Sequence, residues 1–278
     1  MEENLITQIK MYLDTKNPDT RIEVKKLFAK EYIHAYILDF LYNSKNYHTI
    51  NFYGGTCLRY VYGLDRLSED LDFDATSINN FDGFETDIIK YFKQILGYEG
   101  LDVKRQMGER GIRRFTVKLP ILYQLGLSTM ENERLFIKVE FSNHKQQADI
   151  EKKPLFLHGR SFVVSHFSLP SLFAGKILAC LERNFRKGSE DVFVKGRDFY
   201  DLIWYMQKGV TPKEEKLLKD GDSSYTTEQA FEALTKKINT LRPNDIYIDI
   251  VNLLENKVYA ERWAESFKEQ YFRLVANY

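Results

Sequence analysis

Asp70, Asp72 and Asp74 recur at every second position in "SEDLDFDA", a few residues after the glycine pair of "NFYGGTCLRYVYG". The alternation Asp-Leu-Asp-Phe-Asp predicts a strand with Leu71 and Phe73 on one face and the aspartates on the other. Carboxylates two residues apart on such a face lie roughly 6.5 Å from one another. Like charges so placed raise each other's pKa unless something positive stands between them. A divalent cation is the usual remedy, and hard oxygen ligands select Mg²⁺ or Mn²⁺. For Asp74 a solvated strand edge is an equal reading.

The residues just upstream supply a complementary chemistry. Gly54 and Gly55 let a ligand approach the backbone closely, and the N–H groups of the following helical turn can hold an anion. Thr56 offers a hydroxyl there, and Arg59 lies one turn on. A glycine pair alone is common in turns. Followed by a short helix and an Asp-x-Asp strand, it would set a polyphosphate beside metal ligands, which suits nucleotidyl or phosphoryl transfer. In "RLFIKVEFS", Glu140 shares parity with Lys138 and Phe136. An ordinary polar edge explains it, unless that strand lies beside "DLDFD", in which case Glu140 completes a three-carboxylate set.

The elements that would position these groups follow from hydrophobic period and punctuation. Residues 1–47 read as a helical lead-in. A strand at "INFYG", a helix ending at Gly63, a helix at "FDGFETDIIKYFKQIL", paired strands at "LDVKRQM" and "IRRFTVKLPIL", and strands at "RLFIKVEFS" and "GRSFVVSHF" follow in order. The remainder predicts helices at 170–185, 196–207, 211–218, 226–238 and 255–277. The fold class is therefore α+β: a mixed-sheet N-terminal lobe over 1–168 and a helical C-terminal lobe over 169–278.

With 278 residues, the chain is long enough for a real core, and its 40 basic and 40 acidic residues cancel. No global field draws it to nucleic acid, although local patches remain open. Two distant cysteines, Cys57 and Cys180, argue against a disulfide framework or a thiolate metal site and fit a reducing compartment. No apolar run approaches the ~18 residues that span a bilayer, and the acidic amphipathic start is unlike a secretion signal, so no membrane and a cytoplasmic location are expected. His144, His158 and His166 lack metal-ligand spacing and read as non-catalytic.

"GGTCLR…SEDLDF" resembles the signature of the DNA-polymerase-β-like nucleotidyltransferase superfamily. More closely, it is similar to the AbiEii/AbiGii nucleotidyltransferase toxins of type IV toxin–antitoxin and abortive-infection systems. The resemblance spans roughly residues 30–210 and implies a polymerase-β-like core. It puts Ser68 two residues before the first metal-binding aspartate and makes Asp70 and Asp72 the metal pair. Where the superfamily often has serine, this chain has Gly55 followed by Thr56. The family's lysine and following aspartate match Lys176 in "LFAGKILACLERN" and Asp198 in "VKGRDFYDLIWYM". Read from the residues alone, Lys176 either snorkels from an apolar helix or contacts triphosphate oxygens. Asp198 either orients Lys176 or the attacking hydroxyl, or joins Asp201 as a first-turn acid.

The resemblance further implies NTP as substrate and an RNA acceptor, particularly the tRNA 3′ end. It also implies growth inhibition restrained by a separately encoded antitoxin. Two metals held by Asp70 and Asp72, with Glu140 completing the site, would serve attack of a hydroxyl on the α-phosphorus. Arg183, Arg186, Lys187, Lys195 and Arg197 form one basic group able to receive an RNA backbone, and Lys104, Arg105, Arg110, Arg113 and Arg114 form another. The alternatives are transfer to a protein or small molecule, and a catalytically inactive binding module.

Overall fold

A computed structural model describes residues 5–78, 80–108, 111–183 and 194–278. The chain divides into two compact units: Met1–Gly63, Leu67–Lys145 and Glu151–His166 form one, and Leu64–Arg66, Gln146–Ile150 and Phe167–Tyr278 form the other.

The first unit starts with α1 (Leu5–Asp14) and α2 (Ile22–Asn43), then runs β1 (Asn51–Tyr53), α3 (Gly54–Tyr62), β2 (Leu71–Asp74) and α4 (Phe84–Leu96). Strands β3 (Asp102–Met107), β4 (Arg113–Leu119), β5 (Leu135–Ser142), β6 (Ile150–Leu157) and β7 (Arg160–Phe167) complete it, apart from the end residues Ile150 and Phe167. The seven strands lie in the order β3-β4-β5-β2-β1-β7-β6. The sheet is mixed: β2 runs parallel to β5 and β1 to β7, whereas β1/β2, β3/β4 and β4/β5 are antiparallel.

Period-two alternation makes the sheet two-faced. Phe52, Phe73 and Phe141 are cross-strand partners on β1, β2 and β5. Their rings stack at 5.1 and 5.5 Å between centroids, all fully buried. Phe81, Phe84 and Phe115 extend this cluster, with Phe81 4.3 Å from Phe141 and Phe84 4.3 Å from Phe115. Such aromatic pairs each add ~0.5–1.5 kcal/mol beyond the area they bury.

Helix α2 is buried on nearly every side, from Val24 round to Tyr42. A helix without a solvent face must give each of its polar groups a partner. Glu31 takes Arg59 of α3, and Asp39 accepts from Tyr91 of α4. His34, wholly buried, lies 3.0 Å from the Tyr60 hydroxyl through Nδ1 and 3.1 Å from the Glu69 carbonyl through Nε2. A carbonyl only accepts, so Nε2 carries the proton and Nδ1 accepts from Tyr60. This imidazole thereby fixes the backbone immediately before Asp70.

Two elements differ from sequence expectation. Strand β6 contains Pro154, which argues against a strand by its missing N–H; the edge position removes that objection. Its turn into β7 places His158 and Gly159 at φ 46° and 76°, as a two-residue hairpin demands. In the second unit, α5 (Leu169–Glu182), α6 (Gly196–Gln207), α7 (Glu214–Lys219), α8 (Thr227–Thr240) and α10 (Lys257–Leu274) occupy the anticipated stretches. Helix α9 (Pro243–Ile250), opened by a proline in its first turn, is additional. A Cβ on Gly196 would come 2.8 Å from the Ile246 Cα, so glycine allows the close contact of α6 with α9.

Burial pushes the His34 pKa down from 6.5 to about 3, with Lys30 adding to the effect. Between those two values the unfolded chain binds the proton more readily, so stability falls as pH drops from 6.5 towards 3 and is unaffected by this group above 6.5. At ~1.4 kcal/mol for each tenfold change in proton affinity, the loss reaches a few kcal/mol. His34→Gln should flatten this acid limb in urea unfolding curves measured from pH 7 to pH 4; an unchanged slope would show that His34 does not produce it.

Candidate active site

Strand β5 does lie beside β2, and the register pairs Asp72 with Glu140 in the parallel ladder. Both side chains project from the face opposite the phenylalanine stack. Tyr53 of β1 is the antiparallel partner of Asp72 on its other side, and Arg114 of β4 is the partner of Glu140. One cross-strand row therefore reads Gln106, Arg114, Glu140, Asp72, Tyr53, with Gln106 of β3 at its outer end. Tyr53 carried no signal in the sequence. Its phenol is held well above the ordinary value by burial and then by the charges of Asp72 and Glu140, while a hydrogen bond with Ser142 acts the other way.

The glycine turn meets this row at Asp72. Gly54 opens α3 at φ 79°, and a Cβ there would collide with the Asp72 carboxylate, 3.1 Å from its Cγ. Gly55 follows within the first helical turn. The Thr56 hydroxyl is fully buried, donates to the Asp70 carbonyl and lies 2.8 Å from the Ser68 hydroxyl. Ser68 is itself buried. These two hydroxyls tie α3 to the approach of β2, where sequence analysis offers Thr56 to a phosphate. Arg59 is engaged with Glu31, so its charge serves the α2–α3 contact.

The carboxylates have cationic neighbours. Arg114 Nε lies 2.6 Å from Glu140 Oε1, and Lys138 Nζ lies 3.9 Å from Asp70 Oδ2. Burial raises the Asp70 pKa, an effect that Lys138 opposes and Glu69 reinforces. Among the described residues, no three His, Cys, Asp or Glu side chains come together as a ready-made metal cluster.

Asp74 departs from the expected solvated strand exit. It is 7% exposed, accepts from Asn51 Nδ2 at 3.2 Å and from the Thr76 N–H at 3.1 Å, and so closes the strand end from inside. The basic group around β3 and β4 is not one patch either. Alternation leaves Lys104 and Arg114 on the carboxylate face, whereas Arg105 and Arg113 lie over the rings of Phe115 and Phe81. Arg110 lies outside the described residues.

The second unit holds the remaining candidates in one ion-pair network. Lys176 Nζ of α5 is 2.7 Å from Asp198 Oδ1 and 2.9 Å from Asp201 Oδ2, both on α6. Arg66 grips Asp201 through Nε and Nη2, each at 2.6 Å, and Arg183 reaches Asp198 at 3.2 Å. Arg66, Asp198 and Asp201 are buried; Lys176 keeps 15% of its side chain exposed. Burial opposes the charges of Lys176, Asp198 and Arg66, and their partners outweigh it. Asp198 and Asp201 raise the Lys176 pKa, Lys176 and Arg183 hold Asp198 well below the carboxylate range, and Asp201 raises Arg66. The pairing of Lys176 with Asp198 is one of the three sequence readings of Asp198. Arg66 and the inward role of Asp201 had no local signature, because the pair is separated by 135 positions.

Lys195 and Arg197 lie at the start of α6. Arg197 is 3.7 Å from Asp249, and burial followed by the charges of Arg197 and Arg183 lowers the Lys195 pKa. These three cations therefore gather in the second unit. Arg186 and Lys187 lie outside the described residues.

A mixed sheet with a glycine turn beside paired carboxylates, accompanied by a helical C-terminal part, defines a nucleotidyltransferase-like fold. The same fold occurs in a crystal structure of an H. pylori protein designated a nucleotidyltransferase. The two chains are 18% identical, with a TM-score of 0.50 over 88% of this chain and 92% of the other. No curated protein matches the chain. The family described as nucleotidyl transferase AbiEii toxin, type IV TA system, matches residues 38–276, and the chain belongs to it. That match runs on past residue 210, where the resemblance read from the motifs ends, to residue 276. No helix among the described residues is long and apolar enough to cross a membrane.

Removing one member of a buried ion pair typically costs about 3–5 kcal/mol, since the other charge is left without full compensation. Arg66→Met should therefore destabilise the chain by about 3 kcal/mol, at the lower end because Asp201 retains Lys176. Chemical denaturation measures it, and a loss below ~1 kcal/mol would contradict this account of the network.

Proposed function

We propose that the chain transfers a nucleoside monophosphate from an NTP to an RNA hydroxyl, with the 3′ end of tRNA as the favoured acceptor, and that this transfer is the toxic activity. The observation that carries the reading is the register of Asp72 beside Glu140, with the Gly54 turn too close to Asp72 to admit any side chain. That arrangement brings an anion-binding backbone and carboxylates of the same face together.

The donor set is all carboxylate oxygen, and burial raises the proton affinity of Asp70 despite the opposing charge of Lys138. Both features fit Mg²⁺ or Mn²⁺. Asp70 and Asp72 would hold it. Glu140, paired with Arg114, would join only by exchanging that partner. Such an ion supplies charge neutralisation on the phosphates and a more acidic attacking hydroxyl.

The chain's own groups do the rest. Backbone N–H groups opening α3 would hold phosphate oxygens, and Thr56 with Ser68 keeps that turn in place against Asp70. Lys176 would contribute its ammonium to the triphosphate, kept protonated and oriented by Asp198 and Asp201. Arg183, Lys195 and Arg197 offer phosphate contacts for an RNA backbone. A separately encoded antitoxin would restrain the activity.

The test is incubation of the purified chain with labelled NTPs, Mg²⁺ and separated RNA, protein and metabolite fractions. Label in the RNA fraction, mapped to 3′ ends, is expected. Label confined to protein or small molecules would replace the acceptor, and no label in any fraction would leave a binding module. Asp72→Asn should lower transfer at least about a hundred-fold, corresponding to about 3 kcal/mol of lost transition-state stabilisation, with the circular dichroism spectrum unchanged. Retained transfer would remove Asp72 from the chemistry.

A further inference from the structure

The polar face of the sheet continues beyond the carboxylates. Next to the row of Asp72 and Glu140 stands a second row, in which Lys104 of β3, Thr116 of β4 and Lys138 of β5 are in register. A third row holds Asp102, Lys118 and Phe136. Lys138 and Phe136 are each 48% exposed, although β5 is the third strand from the sheet edge. A phenylalanine open to water in the interior of a polar sheet face is unusual among neighbours that alternate strictly between buried apolar and outward polar side chains. Asp102 is occupied by Lys118 at 3.0 Å and Arg134 at 3.4 Å, and Lys138 lies 3.9 Å from Asp70, so the two rows carry Lys104, Lys118 and Lys138, with Arg134 at Asp102.

We infer that this face is the track for the single-stranded 3′ end of the RNA acceptor, with Phe136 as a stacking platform for a base and Lys104 and Lys138 as backbone contacts. The inference rests on the transferase reading above and assigns its acceptor subsite. Sheet order supports the assignment. The glycine turn follows β1 and touches Asp72 from one side, whereas β5, β4 and β3 extend from the other. The carboxylates thus stand between a phosphate-binding turn and a basic, aromatic surface, which is the order that attack of an acceptor hydroxyl on an NTP requires. Phe136 is four residues along β5 from Glu140, roughly 13 Å. An aromatic ring flanked by lysines matches single-stranded nucleic acid: a base stacks on the ring without sequence preference while the cations follow the phosphates.

The experiment measures fluorescence anisotropy of a labelled short single-stranded RNA with a free 3′ hydroxyl, over a salt series, on the full chain and on Phe136→Ala and Lys104→Gln. Both positions are exposed, so stability should barely change. Phe136→Ala should weaken RNA binding about ten-fold, as expected for loss of one stacked base. Lys104→Gln should make the salt dependence shallower by a little under one ion per RNA. NTP affinity, measured by calorimetry, should be unchanged in both. Equal RNA binding by all three proteins overturns the track while leaving the transferase reading intact. A wild-type chain that binds no RNA but labels a protein or metabolite overturns both the track and the RNA acceptor.

Discussion

The carboxylate of Asp72 lies where a side chain at residue 54 would otherwise stand. Much of the first unit can be understood as holding that approach. Strand β1 must end at Tyr53 so that the chain turns at once through a left-handed glycine into α3. The short return of α3 to β2 is then secured at its middle by Thr56 and Ser68 and at its end by His34 on the Glu69 carbonyl. The stacked Phe52, Phe73 and Phe141 fix the register from the reverse face. A slip of one residue would bury the aspartates and expose the rings, which makes the register energetically unambiguous.

The two units handle charge in different ways. In the first, Asp70 and Glu140 meet cations at a partly exposed face, where ion pairs contribute little and can be exchanged. In the second, Arg66, Lys176, Asp198 and Asp201 are removed from water and satisfied by one another. Pairs of that kind offset a large desolvation cost and are poorly suited to exchange. The first arrangement suits ligands that come and go; the second suits a fixed geometry for one ammonium.

Much of the site was legible because its parts are local. The Asp-x-Asp alternation, the glycine pair and the helix carrying Asp198 each depend on spacing within a few residues. What remained hidden depends on pairing over long distances. Nothing near Arg114 announces Glu140 as its partner, and nothing near Arg66 announces Asp201. Tyr53 reads as an ordinary strand aromatic until β1 is set against β2. Asp74 looks like its neighbours by parity, and only Asn51 and the turn at Thr76 distinguish it as an internal strut. Strand β6, absent from the predicted elements, carries Pro154, which an edge strand tolerates.

That edge has a consequence for how copies of the chain meet. A seven-stranded sheet ends in strands whose outer hydrogen-bonding groups invite another sheet. On β6 that invitation is weakened. Pro154 removes a donor from the ladder, Lys152 adds an exposed charge beside it, and the neighbouring Lys153 and Glu151 are held inward on Val61 and Tyr62. The exposed Phe156 sits on this same edge strand. Pro154 on that edge is thus a feature that works against sheet-to-sheet pairing between copies of the chain.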